Sequence, residues 1–328
     1  MNLEHARRLA TPEEIAVRAP EQAPFLRLPD ARHAFAERER RLRSLAAGHP
    51  MAEYLQFIAE VASAQHQGLA EPMPVGVPDA AAMRSAAERR GPPLPVVGWV
   101  REAGWLTGLR RMLGQLEQRL PQSDARQQVR HLAGRSDAYC ETQAERLLGA
   151  VMTGLDLAAA PLIAAALQMY WTRLVGATVE AHGLSAFART AAATLCPCCG
   201  CRPTASVVRI GGEEGGYRYL HCALCAAQWH MVRIKCAHCE STRGIHYLSL
   251  DAESASEPAA RSRSAAVKAE CCDVCGHYLK IFSMEVSPDI EPVADDLASI
   301  ALDLLVSEAG KTPAGLNPML LYGDPGDG

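Results

Sequence analysis

Apolar side chains recur at helical spacing through most of the first 190 residues. In 30–47, Phe35, Leu42 and Leu45 lie on one face, opposite a dense stripe of glutamate and arginine. An apolar stripe with a period of about 3.6 residues predicts a helix that buries one face. The same reasoning predicts helices that start after Thr11 and lie at 54–62, 101–119, 122–133, 136–153 and 157–182. Clustered prolines and glycines at 68–80 and 91–98 predict loops.

The pattern changes near Thr190, where short runs of β-prone residues replace the helical period. Glycine-rich turns between such runs, as at 211–216, predict hairpins. The predicted strands are Ser206–Ile210, Tyr217–His221, Gln228–Ile234, Ile245–Leu250 and Tyr278–Phe282. The sequence therefore predicts an α+β protein, with a helical domain at 1–190 and a small β-rich domain at 191–284.

A last helix is predicted from Val293 to Glu308, within a C-terminal segment at 285–328 that packs on the β-rich domain. Its buried stripe is expected to hold Leu297, Ile300, Ala301, Leu304 and Leu305, and its exposed face Asp296, Ser299 and Asp303. Neighbouring residues diverge by about 100° around a helix. Asp295 and Asp296 are therefore interpreted as solvated acids of the first turn, not as a catalytic pair.

Composition and charge narrow the class of protein. The chain is 48% hydrophobic and 21% charged, as expected of a soluble globular protein. Its net charge of −4 is uneven, because residues 1–190 carry about +2 and the remainder −6. A negative C-terminal half repels phosphate backbones and argues against nucleic-acid binding. The most apolar run, Leu157–Leu167, is too short to span a bilayer, so no membrane insertion is expected.

Eleven of the twelve cysteines lie between Cys196 and Cys275 and contain four CxxC pairs. Two residues between cysteines let both sulfurs meet one ion in a tight turn, and a second pair completes a tetrahedron. The intervals between pairs suit hairpins that bring the first pair to the second and the third to the fourth. The predicted ligands are Cys196, Cys199, Cys222 and Cys225 at one site, and Cys236, Cys239, Cys272 and Cys275 at the other. The chain is expected in the cytoplasm, where such clusters indicate metal or redox chemistry.

Two of these pairs have alternative frames. Gly200 and Gly276 suit the turn after a metal knuckle, so Cys199 is preferred as a ligand to Cys198 and Cys201, and Cys272 to Cys271. Cys140 is expected to be packed in a helix, and the three unused cysteines beside the pairs are expected to be exposed thiols. Nearby histidines are interpreted as strand and turn residues, because four thiolates already fill each shell. These are His221, His230, His238, His246 and His277.

Four tetrahedral thiolates suit Zn²⁺ or a single rubredoxin-like iron. A closed shell leaves no coordination position for a substrate, which favours a structural metal. Redox or thiol chemistry by one of the pairs is the alternative. A nucleic-acid-binding zinc ribbon is the other alternative, with Arg209, Arg218, Arg233 and Lys235 available for it. No nucleotide-binding, metalloprotease or nucleophile-elbow motif is present, so no catalytic residue or enzymatic activity is predicted.

Four stretches in residues 190–320 together resemble a known family. They are Cys196–Gly200; Tyr219–Cys225 leading through Trp229 to Arg233–Cys236; Lys268–Cys275 with Tyr278–Lys280; and Val293–Leu304 with Asn317 and Pro318. Their order and content resemble the FdhE family of formate dehydrogenase accessory proteins. The chain departs from the family in its additional Cys198, Cys201 and Cys271.

The resemblance implies a role in enzyme maturation. FdhE-like proteins are thought to bind the immature catalytic subunit of formate dehydrogenase in the cytoplasm before its export, and to turn over no substrate. The resemblance also favours iron over zinc, as two ions in rubredoxin-like sites formed by the eight cysteines named above. The expected client surface comprises the strands around Trp229–Ile234 and the acidic last helix, with Asp295, Asp296 and Asp303.

Overall fold

The computed structural model describes residues 24–210, 216–250 and 266–321. The predicted helix start at Thr11 lies outside these residues. Within them the helices are α1 (Ala34–Ala46), α2 (Ala52–Ala70), α3 (Ala80–Glu88), α4 (Gly104–Arg119), α5 (Asp124–Ala133), α6 (Asp137–Leu148), α7 (Ala160–His182), α8 (Pro292–Leu297) and α9 (Ile300–Glu308). The strands are β1 (Leu26–Arg27), β2 (Pro203–Val208), β3 (Arg218–Cys222), β4 (Gln228–His230), β5 (Ile245–Leu248), β6 (Val267–Cys272), β7 (His277–Ser283) and β8 (Thr312–Pro313). The predicted α+β class is confirmed.

The helical half is built around α7, which is buried on all sides along its first thirteen residues, 160–172. Helices α2, α4 and α6 pack against it, and α4 contributes a stripe that includes Trp105, Leu109 and Leu113. Burying each such side chain contributes about 1.5–3 kcal/mol. The predicted amphipathic and buried helices are therefore present, because their apolar stripes cover one another.

Serine caps set where two helices begin. The Ser123 hydroxyl accepts from the Arg126 amide at the start of α5, and Ser136 accepts from Tyr139 at the start of α6. Helix α3 was not predicted, although Asp79 caps it by accepting from the Ala82 amide at 2.7 Å. Because α3 buries only Ala86, it has no apolar stripe that could have identified it.

The β-rich half is one sheet with strand order β1-β4-β3-β2-β7-β6-β5, and β8 pairs with β7. Strands β2, β3 and β4 are antiparallel and form module A, while β5, β6 and β7 are antiparallel and form module B. The two modules join where β2 runs parallel to β7, with Ser206 opposite Ile281. In each module, a CxxC turn is followed by two strands, a second CxxC turn and a third strand. Across the sheet, the third, second and first strands follow in the same order in both modules, so module B repeats module A by translation.

The predicted continuous helix at Val293–Glu308 is wrong. The chain forms α8 and α9 with a break at Ala298 and Ser299. The faces also differ from the prediction, because Asp296, Ser299 and Asp303 are buried and Leu304 is 59% exposed, whereas Leu297 is buried as predicted.

A buried amine on a neighbouring strand explains why Asp296 and Asp303 are buried. Lys280 of β7 lies with its Nζ 2.9 Å from Asp296 and 2.6 Å from Asp303. The Tyr278 hydroxyl also donates to Asp303 at 2.8 Å. These acids face inward because their partners are there, which the spacing of α8 and α9 alone cannot reveal.

Four residues of the expected client surface are also buried. Asp295 pairs with Arg41 at 2.6 Å, and both side chains are largely buried. Trp229 is also buried and donates to the carbonyl of Ala193 at 2.9 Å. The three acids and Trp229 therefore stabilise the fold and are not an exposed recognition patch.

Among the helices that the structure describes, none has the length and apolar character to cross a membrane.

Candidate metal centre

The first cluster lies at one end of module A and contains Cys196, Cys199, Cys222 and Cys225. The first two sulfurs come from the turn before β2, Cys222 is the last residue of β3, and Cys225 lies in the turn between β3 and β4. Cys199 Sγ lies 3.4 Å from Cys222 Sγ and 3.7 Å from Cys225 Sγ, and Cys196 Sγ lies 3.6 Å from Cys225 Sγ. All four cysteines are buried.

The second cluster occupies the equivalent place in module B and contains Cys236, Cys239, Cys272 and Cys275. Cys236 and Cys275 sulfurs are 3.7 Å apart, and Cys239 and Cys272 sulfurs are 3.8 Å apart. Unlike the first cluster, this one reaches solvent, because Cys239 is exposed and Cys275 is partly exposed.

These distances match the edges of a metal–thiolate tetrahedron. A Zn–S bond of about 2.3 Å in tetrahedral geometry places neighbouring sulfurs about 3.8 Å apart. In each cluster all four sulfurs lie within 4.8 Å of one another, so each could hold one ion. The sequence prediction of two groups of four is matched by these clusters, and the ligand role of the eight cysteines stays a prediction.

All four knuckle turns have the same backbone shape. The residue after each second cysteine has a positive φ: 79° at Gly200, 57° at Ala226, 59° at Glu240 and 73° at Gly276. In three of the turns that residue's amide donates to the carbonyl of the first cysteine, at 2.8 Å for Gly200, 3.1 Å for Glu240 and 2.9 Å for Gly276. The same backbone conformation directs backbone amides at sulfur: the amides of Leu224 and Cys225 donate to Cys222 Sγ at 3.4 Å. Such donors stabilise thiolate charge, so the turns are suited to anionic sulfur.

The helical half closes over the first cluster. The amides of Leu94 and Val96 donate to the carbonyls of Cys198 and Cys199 at 3.0 and 2.9 Å. Trp171 of α7 in turn donates to the Leu94 carbonyl at 3.3 Å. The predicted proline loop at 91–98 therefore connects the first knuckle turn to helix α7 through hydrogen bonds.

Burial raises the pKa of the Cys196, Cys199 and Cys225 thiols well above the usual value, and raises that of Cys275 to about 12. Burial also opposes ionisation of Cys222 and Cys272, but hydrogen bonds from neighbouring groups outweigh it and lower the pKa of both thiols. A bound cation would ionise the remaining thiols as well, because a coordinating thiol gives up its proton. The clusters are therefore chemically suited to a metal.

The remaining cysteines differ from expectation in part. Cys140 is buried in α6, as predicted. Cys198 and Cys271 were expected to be exposed and are fully buried, and Cys201 is partly buried. Cys198 lies in the core shared with the helices, and Cys271 lies in the core of module B.

Neither cluster includes a histidine. His238 and His277, one from each knuckle of the second cluster, stack with ring centroids 3.6 Å apart. His277 Nδ1 lies 2.8 Å from the carbonyl of Cys275. These rings lie beside the sulfurs and support the turns, as expected of strand and turn residues.

The fold and site define an α+β protein in which a helical half encloses one of two repeated four-cysteine modules. Family models cover the described chain in three consecutive parts: "FdhE, N-terminal" at 23–186, "FdhE, central domain" at 195–233 and "FdhE, C-terminal domain" at 234–320. The chain belongs to the FdhE family.

Relatives and a solved structure agree with this assignment. The chain is 37% identical over 307 residues to a protein FdhE homolog of Cronobacter sakazakii, covering 94% of both chains. It is 36% identical to protein FdhE of Salmonella dublin over the same shares. The crystal structure of the FdhE protein from Pseudomonas aeruginosa is similar with a TM-score of 0.78 and 34% identity, covering 92% of this chain and all of that one.

Proposed function

We propose that this protein is a maturation factor for formate dehydrogenase that binds the immature catalytic subunit in the cytoplasm and catalyses no reaction itself. Membership of the FdhE family supports the accessory role. The observation that carries the binding role is the pair of closed clusters, in which four cysteine sulfurs account for all four tetrahedral positions. A metal held in this way fixes a surface and offers no open position to a substrate.

Each cluster would hold one ion through the eight cysteines named above. Iron is proposed because of the family resemblance, and zinc fits the same sulfur geometry. Metal binding would stabilise the modules directly, because the sites do not exist in an unfolded chain.

Affinity purification from cells that produce formate dehydrogenase tests the proposal. The wild-type protein is expected to recover the catalytic subunit, identified by mass spectrometry. Changing Cys222 and Cys225 together to serine is expected to abolish this recovery. The matched control is Cys140→Ser, which changes a buried cysteine outside both clusters and should leave recovery intact. Recovery of no catalytic subunit by the wild-type protein would refute the proposal.

One observation favours a second candidate function, one-electron transfer by iron. Cys239 exposes the second cluster to solvent, so a redox partner could approach it. This candidate expects a coloured protein whose visible absorption is lost on reduction and returns on oxidation. A colourless protein that contains zinc in both clusters would exclude it.

A further inference from the structure

A cleft of about 680 Å³ lies between α1 and the face of module A. Its walls come from 27–44, from the segment 284–292 that leads into α8, and from β2, β3 and β4. None of the eight clustered cysteines lines it. Clefts of this volume hold small organic ligands in other proteins.

Strand register makes the floor of this cleft polar. Arg27 of β1 pairs with Gln228 of β4, which pairs with His221 of β3. Side chains that are directly opposite across strands point to the same face. Arg209, next to the end of β2, reaches the same row and donates from Nη1 to Gln228 Oε1 at 3.0 Å.

The hydrogen bonds along this row determine which nitrogen of His221 carries the ring proton. Because an arginine only donates, Gln228 accepts at Oε1 and turns its Nε2 towards His221 Nδ1, at 3.3 Å. Nδ1 then accepts, so the neutral ring carries its proton on Nε2. Nε2 is buried and has no hydrogen-bond partner in the part of the chain that the structure describes. A bound ligand or water is the usual partner of such a group.

Two positive charges at the cleft also lack a close counter-ion. Within the described residues no carboxylate lies within 4.0 Å of Arg27 or Arg209, and Glu37 acts on Arg209 only at longer range. Burial and then the charge of Arg27 lower the pKa of Arg209. On the facing wall, by contrast, Arg38 is paired with Glu291 at 3.0 Å. An anion between Arg27 and Arg209 would remove their repulsion.

We propose that the cleft binds a small molecule through a phosphate group, held by the guanidiniums of Arg27 and Arg209 and by the Nε2–H of His221. Three donors from separate strands match the three terminal oxygens of a phosphate, whereas a carboxylate offers two. The cleft is much larger than a phosphate ion, so the group belongs to a larger molecule that extends along α1. The site lies beside the first cysteine cluster, since His221 directly precedes Cys222, but it uses none of the clustered cysteines and goes beyond the maturation role.

Calorimetric titration of the full-length, metal-loaded protein tests this site, with pyrophosphate and AMP as probes in a phosphate-free buffer. Wild type is expected to bind at least one probe, and Arg209→Gln to weaken that binding about tenfold or more, as loss of a charge-assisted hydrogen bond does. The control is Arg233→Gln, which removes the same charge from an exposed residue outside the cleft and should change affinity less than about twofold.

Arg27→Gln provides a second variant if a thermal melt shows that Arg209→Gln is unfolded, and it should weaken binding as strongly. Tighter binding of AMP than of pyrophosphate would support a ligand that extends beyond its phosphate group, and tighter binding of pyrophosphate would contradict that extension. The proposal is overturned if wild type binds neither probe, if Arg209→Gln and Arg233→Gln weaken binding equally, or if succinate binds more tightly than either probe.

Discussion

At the scale of single residues, glycine after a CxxC pair indicates the backbone conformation of the knuckle turn, but that conformation also occurs without glycine. Glycine after the second cysteine is a sequence signal for the knuckle turn, and Gly200 and Gly276 have a positive φ there. Ala226 and Glu240 adopt the same conformation without that signal. The turn is imposed by its hydrogen bonds, so a residue with a Cβ is accepted there at a cost of about 1 kcal/mol.

A pair of opposite substitutions should separate this backbone strain from packing. Gly276→Ala is expected to lower stability by about 1 kcal/mol, because a Cβ there meets nothing within 4 Å and only the backbone resists. Ala226→Gly should raise stability by about 0.5 kcal/mol, since relief of strain exceeds the added chain entropy. Urea denaturation of the metal-loaded proteins measures both, and equal signs would contradict this account.

Lys280 is the residue whose role could least be predicted from the sequence. Its two carboxylate partners lie 16 and 23 residues further along the chain and meet it only when α8 and α9 pack on β7. Lys280→Met should destabilise the protein by about 3–5 kcal/mol, because two buried carboxylates lose their cation. Lys235→Met, which removes a half-exposed ion pair with Glu240 at 3.5 Å, should cost at most about 1 kcal/mol in the same urea titration.

The contribution of Lys280 should also depend on pH. Burial would lower the pKa of Lys280, but Asp296 and Asp303 reverse this and hold it above its usual 10.5. The stability it contributes is therefore complete below pH 10.5 and is lost as pH rises through the higher pKa of the folded protein. On the alkaline side of neutral pH, the gap in urea midpoint between wild type and Lys280→Met should narrow only above pH 10.5. Narrowing between pH 7 and 9 would assign the effect to another group.

At the scale of elements, apolar spacing predicted helices well where one face is apolar and failed where polar groups are buried. The stripe of Trp105, Leu109 and Leu113 identified α4, because one face of this helix packs in the core and the opposite face contacts solvent. Helices α8 and α9 break that rule, since ion pairs with β7 and α1 bury acidic residues alongside apolar ones. Strand β6 was missed because Lys268 and two cysteines interrupt its β-prone pattern.

Helix α1 is joined to α8 by a buried ion pair whose removal should be costly. Arg41→Ala leaves Asp295 buried without its cation, which is expected to destabilise the protein by about 3 kcal/mol. Arg43→Ala on the same helix breaks half-exposed pairs with Glu39 and Glu60 and should cost about 0–1 kcal/mol. Thermal melts of the two variants compare them directly. Similar losses would show that helix propensity, and not the buried pair, controls α1.

At the scale of the whole molecule, the two clusters are alike in geometry and different in surroundings. The cysteines of the first cluster belong to the same continuous core as the helices, whereas those of the second cluster lie outside it. The CxxC spacing is the same in both modules, so this difference could not be read from the motif. It arises from which module the helical half encloses.

Metal removal should therefore proceed in two steps. Given the proposed metal at each cluster, a chelator is expected to take one ion per chain quickly from the exposed second cluster and the other slowly. Cys239→Ser should leave the helical circular dichroism and its melting temperature nearly unchanged, and Cys222→Ser should lower both, because the first cluster is part of the helical core. Native mass spectrometry counts the ions, and loss of both at one rate would contradict the asymmetry.

The translation that relates modules A and B has a consequence for the ends of the sheet. Twofold symmetry would pair like strands at the junction and make the two outer edges equivalent. Translation instead allows a unit to be added without altering those already present, as in solenoid proteins. Strand β1 caps this stack beside β4, and among the described residues no strand caps it beside β5. The two outer edges of the sheet therefore differ, although the two modules that form the sheet are alike.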